Sequence, residues 1–226
     1  MKLVSVAIDG PVGAGKSTIA RTAAKRLGFV YCDTGALYRA VGLYCLRSGT
    51  DMGDSSAIAA RLPEITVEIR LVDGVQRVFL NGSDVSEEIR LPEVSMAAST
   101  VSAVPEVRAA LLDLQRGIAE KNNVIMDGRD IGTVVLPNAD VKIFLTAKPE
   151  IRAKRRYDEL VSKGMEVVFE DVLEDLQKRD YNDSHRAAAP LKQAEDAVLA
   201  DTSELDFEQS VELVCGIIQN QNSNKT

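Results

Sequence analysis

Gly10-Pro11-Val12-Gly13-Ala14-Gly15-Lys16-Ser17, followed by Thr18, is the stretch whose residue types and spacing speak most directly of chemistry. It fits G-x-x-x-x-G-K-[ST], the pattern of a loop that wraps a polyphosphate. Glycines let the backbone turn tightly and aim its N–H groups inward at an anion. If a helix begins at the end of the loop, its unsatisfied N–H groups and positive dipole end face the same anion. The Lys16 ammonium then acts as a point charge on the outer phosphates. The Ser17 hydroxyl is placed to ligate a Mg²⁺ ion bridging them. A loop of this kind serves switches, motors and phosphoryl-transferring enzymes alike, so the rest of the chain has to decide among them.

The flanking elements suit the loop. Residues 3–8 form a short apolar run, as expected of a strand buried on both faces in a parallel sheet. Residues 16–27 carry Ile19, Ala20, Ala23, Ala24 and Leu27 at helical spacing, and Gly28 ends the pattern. "FVYCD" reads as a second strand and "GALYRAVGLYCLRSG" as a second helix ended by Gly49. Alternation of strand and helix is the α/β signature. The middle of the chain breaks that rhythm. Ile65, Val67, Ile69 and Leu71 alternate on one face, and Asp73-Gly74 signals a hairpin, so residues 63–92 are expected to be a small β-containing insert. Beyond it, residues 105–121 predict a helix with Val107, Leu111, Leu114 and Ile118 on one stripe. "NVIMDG", "VKIFLTA" and "DAVLADT" predict three more strands. Residues 149 to about 183 predict a long helical region. A closing helix should turn Phe207, Val211, Val214 and Ile218 inward, and the tail "QNSNKT" should fray.

Composition bounds the function. The chain has 226 residues, enough for one domain with a modest insertion. Its net charge of -7 disfavours non-specific nucleic-acid binding, since phosphate backbones attract a surplus of Lys and Arg. It has no run of about 18 apolar residues to cross a membrane, and its N-terminal apolar stretch is too short for a signal segment. Cys32, Cys45 and Cys215 are odd in number and far apart, which suggests reduced thiols in a cytoplasmic setting. A switch GTPase would need a base-reading stretch such as N-K-x-D, which the sequence lacks. A motor would need a strand-end acid and arginines supplied by a partner. Asp127 ends the run "VIMD", where it either assists a magnesium ion through water or is a plain strand-end turn residue.

Arginine placement favours transfer to a second molecule. Arg39, Arg108, Arg129, Arg152, Arg155, Arg156, Arg179 and Arg186 fall near strand ends and helix starts of an acidic chain. Arginine forks match phosphate oxygens, so two phosphate subsites are expected, one for a donor and one for an acceptor. Arg152 and Arg156 are i,i+4 neighbours whose like charges repel unless an anion lies between them. His185, the single histidine, reads as a surface or hinge residue rather than a catalyst. A kinase for another small acceptor, such as a different nucleoside monophosphate or shikimate, and a nucleotide-binding module without transfer are both compatible with the residues alone.

"GPVGAGKST", "DTGALYRA", "DVSEEIR", "DGRDIGTVVLP", "VKIFL" and "RDYNDSHRAAAPL", in that order, resemble the bacterial cytidylate kinases, P-loop nucleoside monophosphate kinases of the longer type. The resemblance runs from about residue 4 to 215. It implies a P-loop NTPase-type parallel sheet flanked by helices, with the 63–92 insert in the acceptor-binding part and a helical lid near residues 150–186. The remainder, about 1–62 and 93–220, would be the core of a single domain. It implies transfer of the γ-phosphoryl group of ATP to CMP or dCMP with Mg²⁺, by a cytoplasmic monomer that needs neither nucleic acid nor membrane. Residues 10–18 would cradle ATP, with Arg155 beside it. Asp33, Thr34, Arg39, Ser99, Arg108, Arg129, Asp130, Arg179, Asp183 and Arg186 would hold the acceptor, with Ser99 and Arg108 reading the cytosine edge. Lys16, Arg129, Arg152, Arg156 and Arg186 would act on the transferring group, and Ser17 with Asp127, the latter through water, would serve the metal. Thr34 stands where some members carry Ser. Its hydroxyl is kept, so little functional change is expected.

Overall fold

The computed structural model describes residues 3–72 and 75–223. In chain order the elements are β1 (Ser5–Asp9), α1 (Lys16–Leu27), β2 (Val30–Asp33), α2 (Gly35–Arg47), α3 (Ser55–Ala60), β3 (Val67–Val72), β4 (Val75–Leu80), β5 (Ser83–Asp84), α4 (Pro92–Val101), α5 (Pro105–Ala119), β6 (Val124–Gly128), β7 (Val141–Thr146), α6 (Pro149–Ser162), α7 (Phe169–His185), β8 (Val198–Asp201) and α8 (Phe207–Ser223). The chain divides into two compact units, residues 1–31 with 122–226, and residues 32–121.

The first unit is built on a sheet of order β2-β6-β1-β7-β8. β1 runs parallel to β6 and to β7, with Ile8 opposite Asp127 on one side and Ile143 on the other, and β8 runs parallel to β7. A central strand with neighbours on both edges and helices on both faces has no solvent side, so every position can be apolar. Val6, Ala7 and Ile8 are fully buried for that reason. Ile19, Ala20, Ala23 and Ala24 of α1 and Val211, Val214 and Ile218 of α8 complete this core. The small residues of α1 let the helix lie close over the sheet, and the phosphate loop enters it directly. The expected parallel α/β architecture is therefore the observed one. Phe207 departs from expectation: it is 49% exposed, because it stands in the first residue of α8, before the inward stripe begins at Val211. Gln221 to Ser223, expected to fray, continue α8, and residues 224–226 lie outside the described residues.

Residues 149–183 are two helices, not one. Met165 N–H returns to the Leu160 carbonyl at 3.1 Å, and Gly164 adopts φ 76, a left-handed turn that stops α6. Residues 165–168 connect it to α7, with Val168 extended just before the helix begins.

The second unit has two apolar clusters of its own. One gathers Leu37, Tyr38, Val41 and Cys45 of α2 with Val101, Val107 and Leu111, and Ile65, Val67 and Ile69 pack on it. The other joins Ala36, Ala40 and Leu43 to Val78, Leu80 and Val85. The expected insert is a three-stranded antiparallel sheet, β3-β4-β5, with Val67 opposite Leu80 and Val72 opposite Val75. The expected Asp73-Gly74 turn and the side chain of Leu71 lie outside the described residues. Two helices were not foreseen. α3 is short and capped by Asp54, whose carboxylate accepts the Ser56 N–H at 2.8 Å. α4 starts on Pro92 and buries Val94, Ala97 and Val101, a stripe too short and too small in side chains to stand out in the sequence.

The α5 stripe holds a surprise. Val107 and Leu111 are buried as expected, but the next buried position is Gln115, only 1% exposed, while Leu114 and Ile118 are half-buried. Neither Oε1 nor Nε2 of Gln115 finds a hydrogen-bond partner among the described residues. A buried amide without partners costs about 1–3 kcal/mol of stability. Gln115→Met keeps the length and removes the polar atoms, so the urea midpoint should rise by an amount equivalent to about 1 kcal/mol or more. A lower midpoint for the variant would refute this account of Gln115.

Candidate active site

The phosphate loop follows β1 and is held by close approach. Gly10 has φ 151, and a Cβ there would collide with the Leu145 carbonyl oxygen of β7. Gly13 has φ 74, and a Cβ would lie 3.1 Å from both the Arg152 carbonyl oxygen and Leu176 Cδ1. Only glycine accommodates both the torsion and the crowding. α1 begins at Lys16 with no side-chain cap and no acid in its first turn, so its free N–H groups face the loop unopposed.

Lys16 is buried, and its ammonium donates to the carbonyl oxygens of Gly10 and Pro11, each at 2.7 Å. Burial lowers its pKa to about 7; Arg129 pushes in the same direction, while Asp127, Asp183 and Asp9 pull back. Ser17 Oγ donates to Asp127 Oδ2 at 2.9 Å, and Tyr31 donates to Asp127 Oδ1 at 2.8 Å. A serine hydroxyl facing a strand-end carboxylate is an oxygen donor set suited to a hard, largely hydrated cation. Asp127 therefore faces Ser17 rather than merely closing a turn.

β6 delivers Arg129 and Asp130 from its carboxyl end, where open parallel sheets place their ligands. Arg129 Nε donates to Asp183 Oδ2 of α7 at 2.7 Å. Burial works against both charges, yet each outweighs that cost for the other: Arg129 is held above its ordinary value and Asp183 below. Arg186 and Arg179 add to the depression of Asp183. Arg186 donates to the Ala189 carbonyl at 2.8 Å and lies 3.5 Å from Asp130. The structure thus brings Lys16, Ser17, Asp127, Arg129, Asp130, Asp183 and Arg186 into one network, with Arg179 at its edge.

The arginines of α6 have protein partners. Arg152 is 5% exposed; it donates to the Ala147 and Val12 carbonyls, both at 2.8 Å, and to Asp180 at 2.6 Å. Arg156 pairs with Glu159 at 2.7 Å. The expected repulsion between Arg152 and Arg156 thus needs no anion between them, because each has its own carboxylate. Arg155 binds the backbone and hydroxyl of Thr202 at 2.7 and 3.1 Å. His185 is exposed and stacks on Tyr181 with ring centroids 4.0 Å apart.

Within the second unit, Arg39 pairs with Asp33 at 2.6 Å at the start of α2. Burial would raise Asp33, but the Arg39 charge holds it below its ordinary value. Thr34 precedes α2 and is buried. Arg108 donates to the Ser102 carbonyl at 3.2 Å and lies over the Tyr38 ring at 5.5 Å, while the Ser102 hydroxyl donates to the Ser99 carbonyl at 2.9 Å. Ser102 therefore bridges the two residues expected to read a base.

Asp9 went unnoticed in the sequence. Its two carboxylate oxygens accept the N–H groups of Ile131 and Gly132, each at 2.7 Å. These open a π-helical turn, Ile131–Val135, whose wide bonds include Leu136 N–H to the Ile131 carbonyl at 2.7 Å. Burial, against those two hydrogen bonds, raises Asp9 to about 6. An acid ending an otherwise apolar strand was the available signal. Asp180 was missed too, inside a helix dense with acids.

The lowered Lys16 gives a pH signature. With a pKa of about 7, most free Lys16 is neutral at pH 8, and a bound polyphosphate restores the ammonium. ATP binding at pH 8 should therefore take up protons, read as the dependence of calorimetric heat on buffer ionisation. Affinity should fall as pH climbs above about 7. Lys16→Arg, always charged, should take up none. Equal uptake by both proteins would contradict the assignment.

The profile of the cytidylate kinase family matches residues 6–220. A cytidylate kinase of Caldicellulosiruptor bescii is 52% identical over 95% of this chain and 95% of its own. One of Caldanaerobacter subterraneus subsp. tengcongensis is 55% identical over 93% of this chain and 92% of its own. The crystal structure of an uncharacterized protein from Eubacterium ventriosum aligns with TM-score 0.53 at 12% identity, over 96% of this chain and 98% of that one, a likeness of fold alone. With that profile spanning all but the two ends, and more than half of the residues shared with two members along nine-tenths of each chain, the chain belongs to the cytidylate kinase family.

Proposed function

We infer that the protein transfers the γ-phosphoryl group of ATP to CMP or dCMP, giving CDP or dCDP and ADP. The observation that carries this reading is the extent of identity with the two cytidylate kinases, joined to a phosphate loop whose lysine and serine meet Asp127 and Arg129. The acceptor atom is a phosphate oxygen, already ionised at neutral pH, so no general base is needed. The catalytic problem is electrostatic. Two unit negative charges at about 4 Å repel by roughly 4 kcal/mol at an effective dielectric of 20. Lys16, Arg129 and Arg186 offset that repulsion, most strongly when the transferring group is midway. Ser17, with Asp127 acting through water, would hold Mg²⁺, which supplies charge neutralisation across the bridging phosphates. Asp33, Thr34, Arg39, Asp130, Arg179 and Asp183 are assigned to the acceptor's phosphate and sugar, and Ser99 and Arg108 to its cytosine. Arg155 is assigned to the ATP side. The protein is taken to act in the cytoplasm and as a monomer, and light scattering checks the monomer.

An ADP-release assay across the nucleoside monophosphates and shikimate tests the acceptor. CMP and dCMP should turn over at least about 100-fold more efficiently than shikimate, a gap of about 2.7 kcal/mol. Arg108→Ala should narrow the preference for CMP over UMP about tenfold while the KM for ATP moves little. ATP binding without acceptor-dependent ADP release would overturn the transferase reading.

Within residues 150–186, Arg152 and Asp180 are tied to the phosphate loop, so the part proposed to close as a lid once the acceptor is bound is the tip of α6 and α7 around the connection at Gly164. The left-handed Gly164 and the exposed Val161, Met165 and Val168 around it motivate this. ATP hydrolysis without CMP should then be at least about 100-fold slower than transfer with it. Comparable rates would remove the lid.

A further inference from the structure

Val12 is gripped at both of its backbone polar groups. Its N–H donates to Asp180 Oδ1 at 3.1 Å, and its carbonyl accepts Arg152 Nη1 at 2.8 Å. The same Arg152 nitrogen donates to Asp180 Oδ2 at 2.6 Å, and Arg152 Nε is anchored on the Ala147 carbonyl at 2.8 Å. Arginine and aspartate thus close a ring through a single loop residue. Arg152 is nearly inaccessible, so the ring stands in a poorly screened place where charge-assisted hydrogen bonds are strong. Leu176, one turn before Asp180 on α7, closes on the neighbouring Gly13. Asp183, three residues after Asp180, holds Arg129. Helix α7 therefore bears on the phosphate loop and on Arg129 with one face.

The grip has a directional consequence. A trans peptide points its C=O and N–H in opposite directions. With the Val12 carbonyl drawn to Arg152, the Gly13 N–H of the same peptide plane is turned away from α6. With the Val12 N–H drawn to Asp180, the Pro11–Val12 plane is fixed as well. Two successive peptide planes of the loop are oriented before any ligand arrives, which removes a cost that binding would otherwise carry.

We propose that Asp180, acting with Arg152, is a positioning residue that presets the phosphate loop at Val12 for the ATP phosphates. This deepens the reading of the loop as the ATP site and rests on it. Asp180 touches no substrate; it works through the Val12 peptide.

The test uses the full chain and three measurements: ATP affinity, CMP affinity without ATP, and hydrogen exchange of the Val12 amide. Asp180→Ala should weaken ATP binding about tenfold or more, leave CMP binding within about twofold, and speed exchange at Val12. Asp180→Asn keeps an acceptor for Val12 N–H but no charge for Arg152, and should fall between wild type and Asp180→Ala. Arg152→Ala should resemble Asp180→Ala, and the double variant should be no worse than either alone. A residue that merely stabilised the fold would weaken both ligands together. The proposal is overturned if the Asp180→Ala protein binds ATP as wild type does, or loses ATP and CMP affinity equally. Should Asp180→Ala not fold, Asp180→Asn decides by the same criteria. If the wild-type protein itself bound no ATP, the ATP reading would fail, and unchanged Val12 exchange in Asp180→Ala would separately reject the clamp.

Discussion

Lys16 has to be kept charged, or readily chargeable, in a place with little water, beside the partly buried Arg129. Two neighbouring cations cannot share such a site without compensation. Asp127, Asp183 and Asp9 supply it, and each arrives from a different part of the chain: the end of β6, the last turn of α7 and the end of β1. The parallel sheet matters for this reason. It puts the carboxyl ends of β1 and β6 side by side, with Asp9 opposite Gly128 in the register, so acid and base meet at one edge of a rigid frame.

The arrangement does not hold a reservoir of bare positive charge. Arg129, Arg152, Arg156 and Arg39 each have a carboxylate within hydrogen-bonding distance. An acidic protein can therefore present cations to anionic ligands and remain stable without them. A phosphate entering this network would compete with carboxylates of like charge, which favours ligands that offer several oxygens in a fork matching arginine. The pairs also divide the arginines by task. Arg129 and Arg186 stand in the network around Lys16, while Arg152 is committed to the loop backbone.

The second unit follows a different logic. Its two apolar clusters fix α2 between the small antiparallel sheet and the α4–α5 pair. Asp33 and Arg39 stand at one end of α2, and Tyr38 on the same helix lies beneath Arg108. A guanidinium resting on an aromatic face loses less freedom when it takes a planar partner. The Gln115 amide, buried at the end of the α5 stripe, is enclosed without hydrogen-bond partners among the described residues.

Local information was enough for much of this. The loop was legible because its glycines, lysine and serine are adjacent in the chain and their chemistry needs that spacing. The inner strands β1, β6 and β7 of the parallel sheet showed as apolar runs, since burial on both faces leaves no polar alternation to confuse them. Helices α1, α5 and α8 showed through periodic stripes. What stayed hidden depends on partners far away in sequence. No spacing rule says that Asp180 rather than its acidic neighbours will meet Val12, 168 residues away, or that Asp9 will cap a turn at Ile131 and Gly132. The acids of α7 look alike as letters and differ only in the face they turn to the loop. Arg152 and Arg156 seemed a matched pair by their spacing, yet packing buried one and left the other partly in solvent with its own glutamate. Sequence alone determined that a polyphosphate loop sits on a parallel α/β frame. Which charges neutralise which was decided only by the tertiary structure, because electrostatic pairing follows distance in space and the chain order does not contain it.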